Sequence, residues 1–424
     1  MDNAQPQASA PAPGDALLAQ IPPEMRLTRP LQLPPSLSES ELNARLIDLA
    51  SPNTHLDEAI CFLGGGAWDH YVPAIVDTLA DGLRLCLVTP DSPQPLLQGV
   101  FELQTLFAAL AGQEVAAPFA DGPAALAEAI RAATRATGRT EAVVTRTTNP
   151  RYRAILRSCL PPLAVQEAGY HGGVTRPSDA ERLLTERTAC LVLEQPNYFG
   201  CFEDLPSLAA AARRCGALLV AKVDPIALGI LAPPGADIVV ADAQPLGSRP
   251  WCGGDALGLL ACRAGLAPAL DGWRVERTGE AFQLLGRPGR GLRADRVLRP
   301  LVYLATCGAE GLARAAMLST SMAHALQRSI TALEGFALRF HAPFFKEFAV
   351  ECHTDPGDVA EALLESNLLG ALPLQGDYPE MEHCVLFAAT ERRTTAEIDL
   401  VRHALELMGD RRGESGFALD SDDA

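Results

Sequence analysis

A chain of 424 residues with 48% hydrophobic content holds enough apolar material for one large core and a smaller second one. A formal net charge of −17 argues against nucleic acid and anionic membranes as partners, because both are bound through basic patches. No stretch approaches the roughly 20 apolar residues of a membrane span, and the N-terminus lacks the basic-then-apolar order of a secretory signal, so a cytoplasmic protein is expected.

In chain order, "MDNAQPQASAPAPGD" is Ala/Pro-rich without apolar periodicity, and a disordered tail over 1–20 is expected. Residues 21–60 follow as an arm and a docking helix. Prolines open the arm, then Ser38 or Ser40 can cap a helix whose Leu42, Leu46 and Leu49 share one face. A large α/β domain is expected over 61–300. Its first helix, "QGVFELQTLFAALAG", ends in Gly112, and Asp121 caps a second, "GPAALAEAIRAATRATG". Strand "EAVVTR", a short helix near "YRAILRSC", strands "LAVQEA" and "ACLVLE", helix "LPSLAAAARRCG" and strands "ALLVAKVD" and "DIVVAD" come next. Apolar strands separated by helices of this length indicate βαβ units and a mostly parallel sheet. A smaller α/β domain is expected over 301–410, with one long helix from Gly308 to Gly335, strands "FALRF", "KEFAVEC" and "CVLFAAT", and helices "GDVAEALLES" and "TTAEIDLVRHALEL". The acidic 411–424 is expected to be a second disordered tail.

The 11 cysteines include no C-x-x-C pair, and Cys86, Cys190 and Cys262 lie in apolar runs, which predicts buried structural thiols. The eight histidines show no metal-ligand spacing, so no metal site is expected. Lysine is the unusual count: Lys222 and Lys346 are the only two.

In open parallel sheets ligands bind beyond the carboxyl ends of the strands. Four loops qualify. "LEQPNYFGCFED" offers Asn197 and Tyr198, "KVDPIALGIL" puts Asp224 at a strand end, "ADAQPLGSRPWCGG" carries Gln244 and the Gly253–Gly254 turn, and "FADGPAALAEA" starts a helix at Asp121 and Gly122, a place suited to an anion. A strand-end carboxylate, an anion-binding helix start and a polar loop fit a pyridoxal phosphate pocket in which Asp224 would face the ring nitrogen. The lysine such a pocket needs is absent from the loop, where Gln244 stands. Plainer readings stay open: Asp121 as an N-cap, Asp224 before Pro225 as a turn residue, Gln244 as a loop residue, and Lys222 as a strand-end charge reaching solvent.

"FLGGGAWDHYVPAIVD" (62–77), "QPNYFGCFEDL" (195–205), "VDPIALGILAPPGADIVVADAQPLG" (223–247), "HAPFFKEFAV" (341–350) and "LLGALPLQGDYPEMEHCVLFAATERRTTAEID" (368–399) carry a resemblance. Together they resemble subunit 1 of the two-chain glycine dehydrogenase (decarboxylating) family, the P-protein of the glycine cleavage system. The resemblance implies a fold type I pyridoxal phosphate transferase architecture and a heterotetramer-type assembly with a homologous subunit 2. It also implies that subunit 2 holds the cofactor covalently, Gln244 standing where that chain has its lysine. The reaction it implies removes CO2 from glycine and passes the aminomethyl group to the lipoyl arm of H-protein. Asp121, Gly122, Asn197, Tyr198, Asp224, Gln244, Gly253 and Gly254 are then expected to shape the cofactor pocket or the interface, without covalent chemistry. The chain departs from the family at "TPDSPQPLLQG" (89–99), at Ala120, and at the arginine-rich "GRPGRGLRADRVLRP" (286–300). A catalytically silent structural or regulatory homologue, or an independent enzyme using Lys222, are the alternatives to a working decarboxylase subunit.

Overall fold

Residues 142–144, 190–193, 219–221 and 239–241 are apolar without interruption, the composition of strands covered on both faces. In the computed structural model, which describes residues 20–27, 29, 31–160, 163–250, 257–286 and 292–415, they form the middle of a seven-stranded sheet. Its strands are β1 (Val115–Phe119), β2 (Glu141–Thr145), β3 (Ala164–Ala168), β4 (Thr188–Gln195), β5 (Leu218–Val223), β6 (Ile238–Asp242) and β7 (Gly258–Cys262), in spatial order β1-β7-β6-β5-β4-β2-β3. From β3 to β6 all neighbours are parallel, while β7 runs antiparallel to both β6 and β1. Side chains alternate between the faces, as strand geometry requires. Val143, Leu191, Leu219 and Val239 enter one apolar cluster, and Val144, Val192, Val220 and Val240 the other.

The chain divides into residues 1–54 and 55–424. The first unit contains helix α1 (Glu39–Ala50), started by a full capping box in which Ser38 Oγ accepts from the Glu41 N–H and Glu41 reaches back to the Ser38 N–H. The larger unit takes in residues 55–60, which the sequence reading assigned to the arm, because Ile60 and Cys61 pair in parallel with Leu368 and Leu369.

In that unit α2 (Ala74–Ala80) precedes α3 (Gln94–Ala111), which stops at Gly112 in the left-handed conformation (φ 66°). α4 (Gly122–Thr137) and α5 (Pro150–Cys159) cover one face of the sheet. The other face is covered by α3, by α7 (Leu205–Arg214), which follows the short α6 (Pro177–Glu181), and by part of α8 (Ala294–Thr331). Strand β1, the antiparallel hairpin 274–285, helices α2 and α6 and the early start of α8 all escape the sequence reading. α8 begins 14 residues before Gly308, and Gly308 (φ 59°, ψ −172°) breaks it instead of starting it. Among the described residues α8 is the one helix long and apolar enough to cross a membrane by length and composition. The break makes it two shorter rods: the first packs on the large sheet's core, and the second starts against that core with Leu312, Ala315 and Ala316 and passes to a smaller sheet with Ala323, Leu326 and Ile330.

That smaller sheet has the antiparallel order β8-β9-β11-β10, from β8 (Phe336–Leu338), β9 (Glu347–Cys352), β10 (Leu372–Pro373) and β11 (Cys384–Ala388). It is backed by α9 (Pro356–Glu365) and α10 (Thr395–Ser415), which continues into the segment expected to be a tail. Cys190 and Cys262 are buried as expected. Cys86 is exposed: the strand it precedes (Leu87–Val88) is only two residues long, and of the two only Val88 turns into the core.

Candidate active site

At the carboxyl end of β5, Asp224 is buried and faces Lys346, whose Nζ lies 2.6 Å from Oδ2. Lys346 immediately precedes β9 and is itself buried. Its Nζ lies 2.8 Å from His70 Nε2 and 3.8 Å from the centre of the Trp68 ring. An ammonium has only donors, so His70 Nε2 accepts, and Nδ1–H is left to donate to Glu391 Oε2 at 2.7 Å. Burial alone would raise the Asp224 carboxyl, but the Lys346 charge and hydrogen bond and the Ile226 N–H outweigh it and hold it below its ordinary value. Glu391 follows the same pattern. Burial raises it, and the His70 ring and the Tyr71 N–H prevail, holding it down at about 2.

The neighbouring strand carries a second buried pair. Glu194 and Lys222 are register partners on β4 and β5, and their side chains form an ion pair. Lys222 also lies over the Tyr152 ring at 4.6 Å, and the other Glu194 oxygen accepts from the Asn149 N–H at 2.6 Å. The expectation that Lys222 reaches solvent is therefore wrong. Side chains of adjacent parallel strands in register lie side by side, and a carboxylate one strand away satisfies the ammonium inside the protein.

Gln244 is buried just past β6. Its Oε1 accepts from the Trp68 N–H at 3.1 Å, while Nε2 donates to Trp68 O at 3.1 Å and to Ser248 O at 2.7 Å. Asp242 accepts from the Gln244 N–H at 3.0 Å and from the Tyr152 hydroxyl at 3.0 Å. Burial pushes the Asp242 carboxyl up, against those two bonds and the Lys222 charge.

Asp121 caps α4 by accepting from the Ala124 N–H at 2.7 Å, and the start of the helix is closed further by Tyr152. A Cβ on Gly122 would come within 1.9 Å of the Tyr152 hydroxyl oxygen, so only glycine lets Tyr152 reach Asp242. The expected anion site thus presents two carboxylates and a phenol.

Asn197 organises its own loop. Oδ1 accepts from the Phe199 and Cys201 N–H groups, and Nδ2 donates to Gly173 O and to Glu203 Oε1. Glu203 is raised by burial, partly offset by Thr147, Asn197 and Thr175. Tyr198 stacks on Tyr378 with ring centres 5.9 Å apart. At Gly200 the loop touches β9, where a Cβ would lie 1.9 Å from Glu347 O. Glu347 Oε1 accepts from the Gly65 N–H at 2.7 Å, and burial pushes its carboxyl up to about 7 against that bond and the nearby Lys346.

Six of the eight residues singled out from sequence therefore border one continuous network that includes Lys346, His70, Trp68, Glu194 and Glu347. Gly253 and Gly254 lie outside the described residues, as do 287–291 of the arginine-rich stretch 286–300. The space enclosed between the Glu194–Lys222 and Asp224–Lys346 pairs, Trp68 and Gly200 measures about 10 Å³. Small-molecule sites are roughly 300 Å³ or more. Both lysines are neutralised by buried carboxylates, Asp224 already has its cation, and the α4 start carries negative groups. These residues do not fit a pyridoxal phosphate held by this chain.

The sequence profile of the glycine cleavage system P-protein matches residues 13–279. The chain belongs to this family. The probable glycine dehydrogenase (decarboxylating) subunit 1 of Desulforamulus reducens is 37% identical over 418 residues, spanning 91% of this chain and 93% of the relative. The protein of the same description from Carboxydothermus hydrogenoformans is 36% identical over 429 residues, with 94% and 95% covered. A crystal structure of glycine decarboxylase (P-protein) of the glycine cleavage system, in inhibitor-bound form, superposes with a TM-score of 0.85 at 36% identity, over 93% of this chain and 94% of that one. A Lactobacillus brevis glutamate decarboxylase, 12% identical with a TM-score of 0.72, shares the fold alone. This P-protein chain thus has the fold type I architecture of pyridoxal phosphate enzymes, built on a large seven-stranded sheet and a smaller antiparallel sheet.

Proposed function

We propose that the chain is subunit 1 of a glycine decarboxylase, acting with a homologous subunit 2 that holds pyridoxal phosphate. Glycine loses CO2 at the shared site, and its aminomethyl group passes to lipoylated H-protein. The descriptions of the relatives carry the activity and imply a second chain. The observation that carries the division of labour is the state of the two lysines. Lys222 is spent on Glu194 and Lys346 on Asp224, and Gln244 at the loop position is locked onto the Trp68 backbone.

The role left to this chain is to present a rigid surface beside the partner's site. Exposed apolar side chains support a chain partner: Ile75 and Leu79 on α2, Leu85 (97% exposed) and Leu87 after it, and Met317 on α8, the helix against which α2 packs. Large apolar side chains this exposed on and just after one helix are of the kind a partner covers.

The test is glycine–bicarbonate exchange with pyridoxal phosphate and H-protein, by this chain co-purified with a subunit 2. Exchange that disappears when either chain is left out supports the proposal. A stable complex without exchange, from a subunit 2 that is active with another subunit 1, would instead identify a silent homologue.

A further inference from the structure

Asp224 sits where a strand-end carboxylate would meet the ring nitrogen of a pyridine cofactor, yet its Oδ2 is met by the protein's own ammonium at 2.6 Å. Every side of that ammonium is accounted for: Asp224 takes one proton, His70 Nε2 a second, and the face of Trp68 covers the remainder. The surroundings are fixed in turn. Glu391 orients His70, Gln244 holds Trp68 by both backbone groups, and the Ile226 N–H takes the second Asp224 oxygen at 2.9 Å. A buried ion pair gives no more stability than a pair of apolar residues of the same size. What this pair supplies is a neutralised Asp224 in a space too small for a ring.

We propose that Lys346 is a built-in counter-ion that takes the place of a pyridinium N–H on Asp224 and so closes this subunit's half-site to pyridoxal phosphate. The proposal rests on the reading of the chain as the subunit that does not hold the cofactor, and adds the residue responsible. A ring nitrogen arriving at Asp224 would have to displace the ammonium from the carboxylate it is bonded to, in a buried space too small for both. The partition of cofactor between the two subunits is then set by an occupied acceptor in this chain as well as by the missing loop lysine.

The test uses the full chain and its Lys346→Ala variant, which removes the equivalent of propylammonium. The probe is pyridine, of similar size, with propylammonium as the positive and benzene as the negative comparison. Expected is a rise of several degrees in the Tm of Lys346→Ala with pyridine or propylammonium, little or none with benzene, no response of the parent chain, and loss of the pyridine effect in Lys346→Ala/Asp224→Ala. Benzene matching pyridine, or pyridine failing where propylammonium succeeds, overturns the proposal. A measurement on the parent chain covers the case in which Lys346→Ala does not fold. After pyridoxal phosphate and borohydride, peptide mass spectrometry of the native protein should find no pyridoxyl group on Lys346, and only prior denaturation should expose it. Labelling of native Lys346 would sink the inference. Labelling of native Lys222 would sink the underlying assignment of the cofactor to the partner and leave the Lys346–Asp224 pair untouched.

Discussion

Gln244 grips Trp68 by both of its main-chain polar groups, accepting from N–H and donating to C=O at 3.1 Å each. A lysine in its place has no acceptor and satisfies neither the Trp68 N–H nor that paired geometry, in a position 2% exposed. Gln244→Lys is expected to destabilise the chain by about 2–4 kcal/mol, the range for stranding buried polar groups and burying an unpaired charge. It should also yield no yellow protein with pyridoxal phosphate. Urea unfolding and a visible spectrum check both halves.

Gly122→Ala places a methyl group 1.9 Å from the Tyr152 hydroxyl oxygen. Tyr152 must then leave Asp242, at an expected cost of about 1–3 kcal/mol. With Tyr152→Phe already in place the obstructing oxygen is gone, so the double variant should lose less than the sum of the two single ones. Additive losses in a double-mutant cycle would contradict the contact.

Glu347 and Glu391 pull the pH dependence in opposite directions. Glu347 rises from 4.5 to about 7 on folding, so its favourable contribution is complete below 4.5 and is lost as pH climbs through 7. At 1.36 kcal/mol per unit this is on the order of 3 kcal/mol. Glu391 falls from 4.5 to about 2, so its contribution is complete above 4.5 and disappears as pH drops toward 2. Glu347→Gln keeps an oxygen for the Gly65 N–H and should flatten the decline in stability between about pH 5 and about pH 8. Glu391→Gln should lower stability at neutral pH and remove part of the acid-side decline. Denaturation midpoints from about pH 3 to about pH 8 distinguish the two.

Leu85 is 97% exposed and contributes little to the fold of the isolated chain. Leu85→Asp should leave stability within about 0.5 kcal/mol of the parent. Under the proposed assembly, co-purification of subunit 2 should fall. Unchanged capture by the Leu85→Asp, Leu79→Asp double variant would move the interface elsewhere.

Local signals were readable wherever neighbouring residues decide the structure. Ser38, Asp121 and Gly112 each mark a helix end through bonds or backbone angles set within a few residues. Asp224 and Gln244 were legible as strand-end residues because the β–loop–α order alone places them. The fate of Lys222 was not. Its partner Glu194 stands 28 residues earlier, and their pairing depends on strand register. Lys346 was visible only as one of two lysines, since Asp224 and His70 lie 122 and 276 positions away. The hairpin 274–285 was obscured because its first strand offers one inward apolar residue, Val275 between Arg274 and Glu276, and Arg277 stands where the next would be.

The Gly-rich segment 62–70 takes nearly all its fixings from the far end of the chain. Gly65 bonds to Glu347, Trp68 to Gln244, His70 to Glu391, and Asp69 to Thr390, Arg392 and Arg393. During synthesis at roughly 5–20 residues per second, this segment therefore emerges tens of seconds before its last anchors exist. A nascent chain stopped short of residue 390 would contain every strand of the large sheet but not the closed pocket. Closure of the pocket thus waits on residues 390–393, long after the large sheet can form.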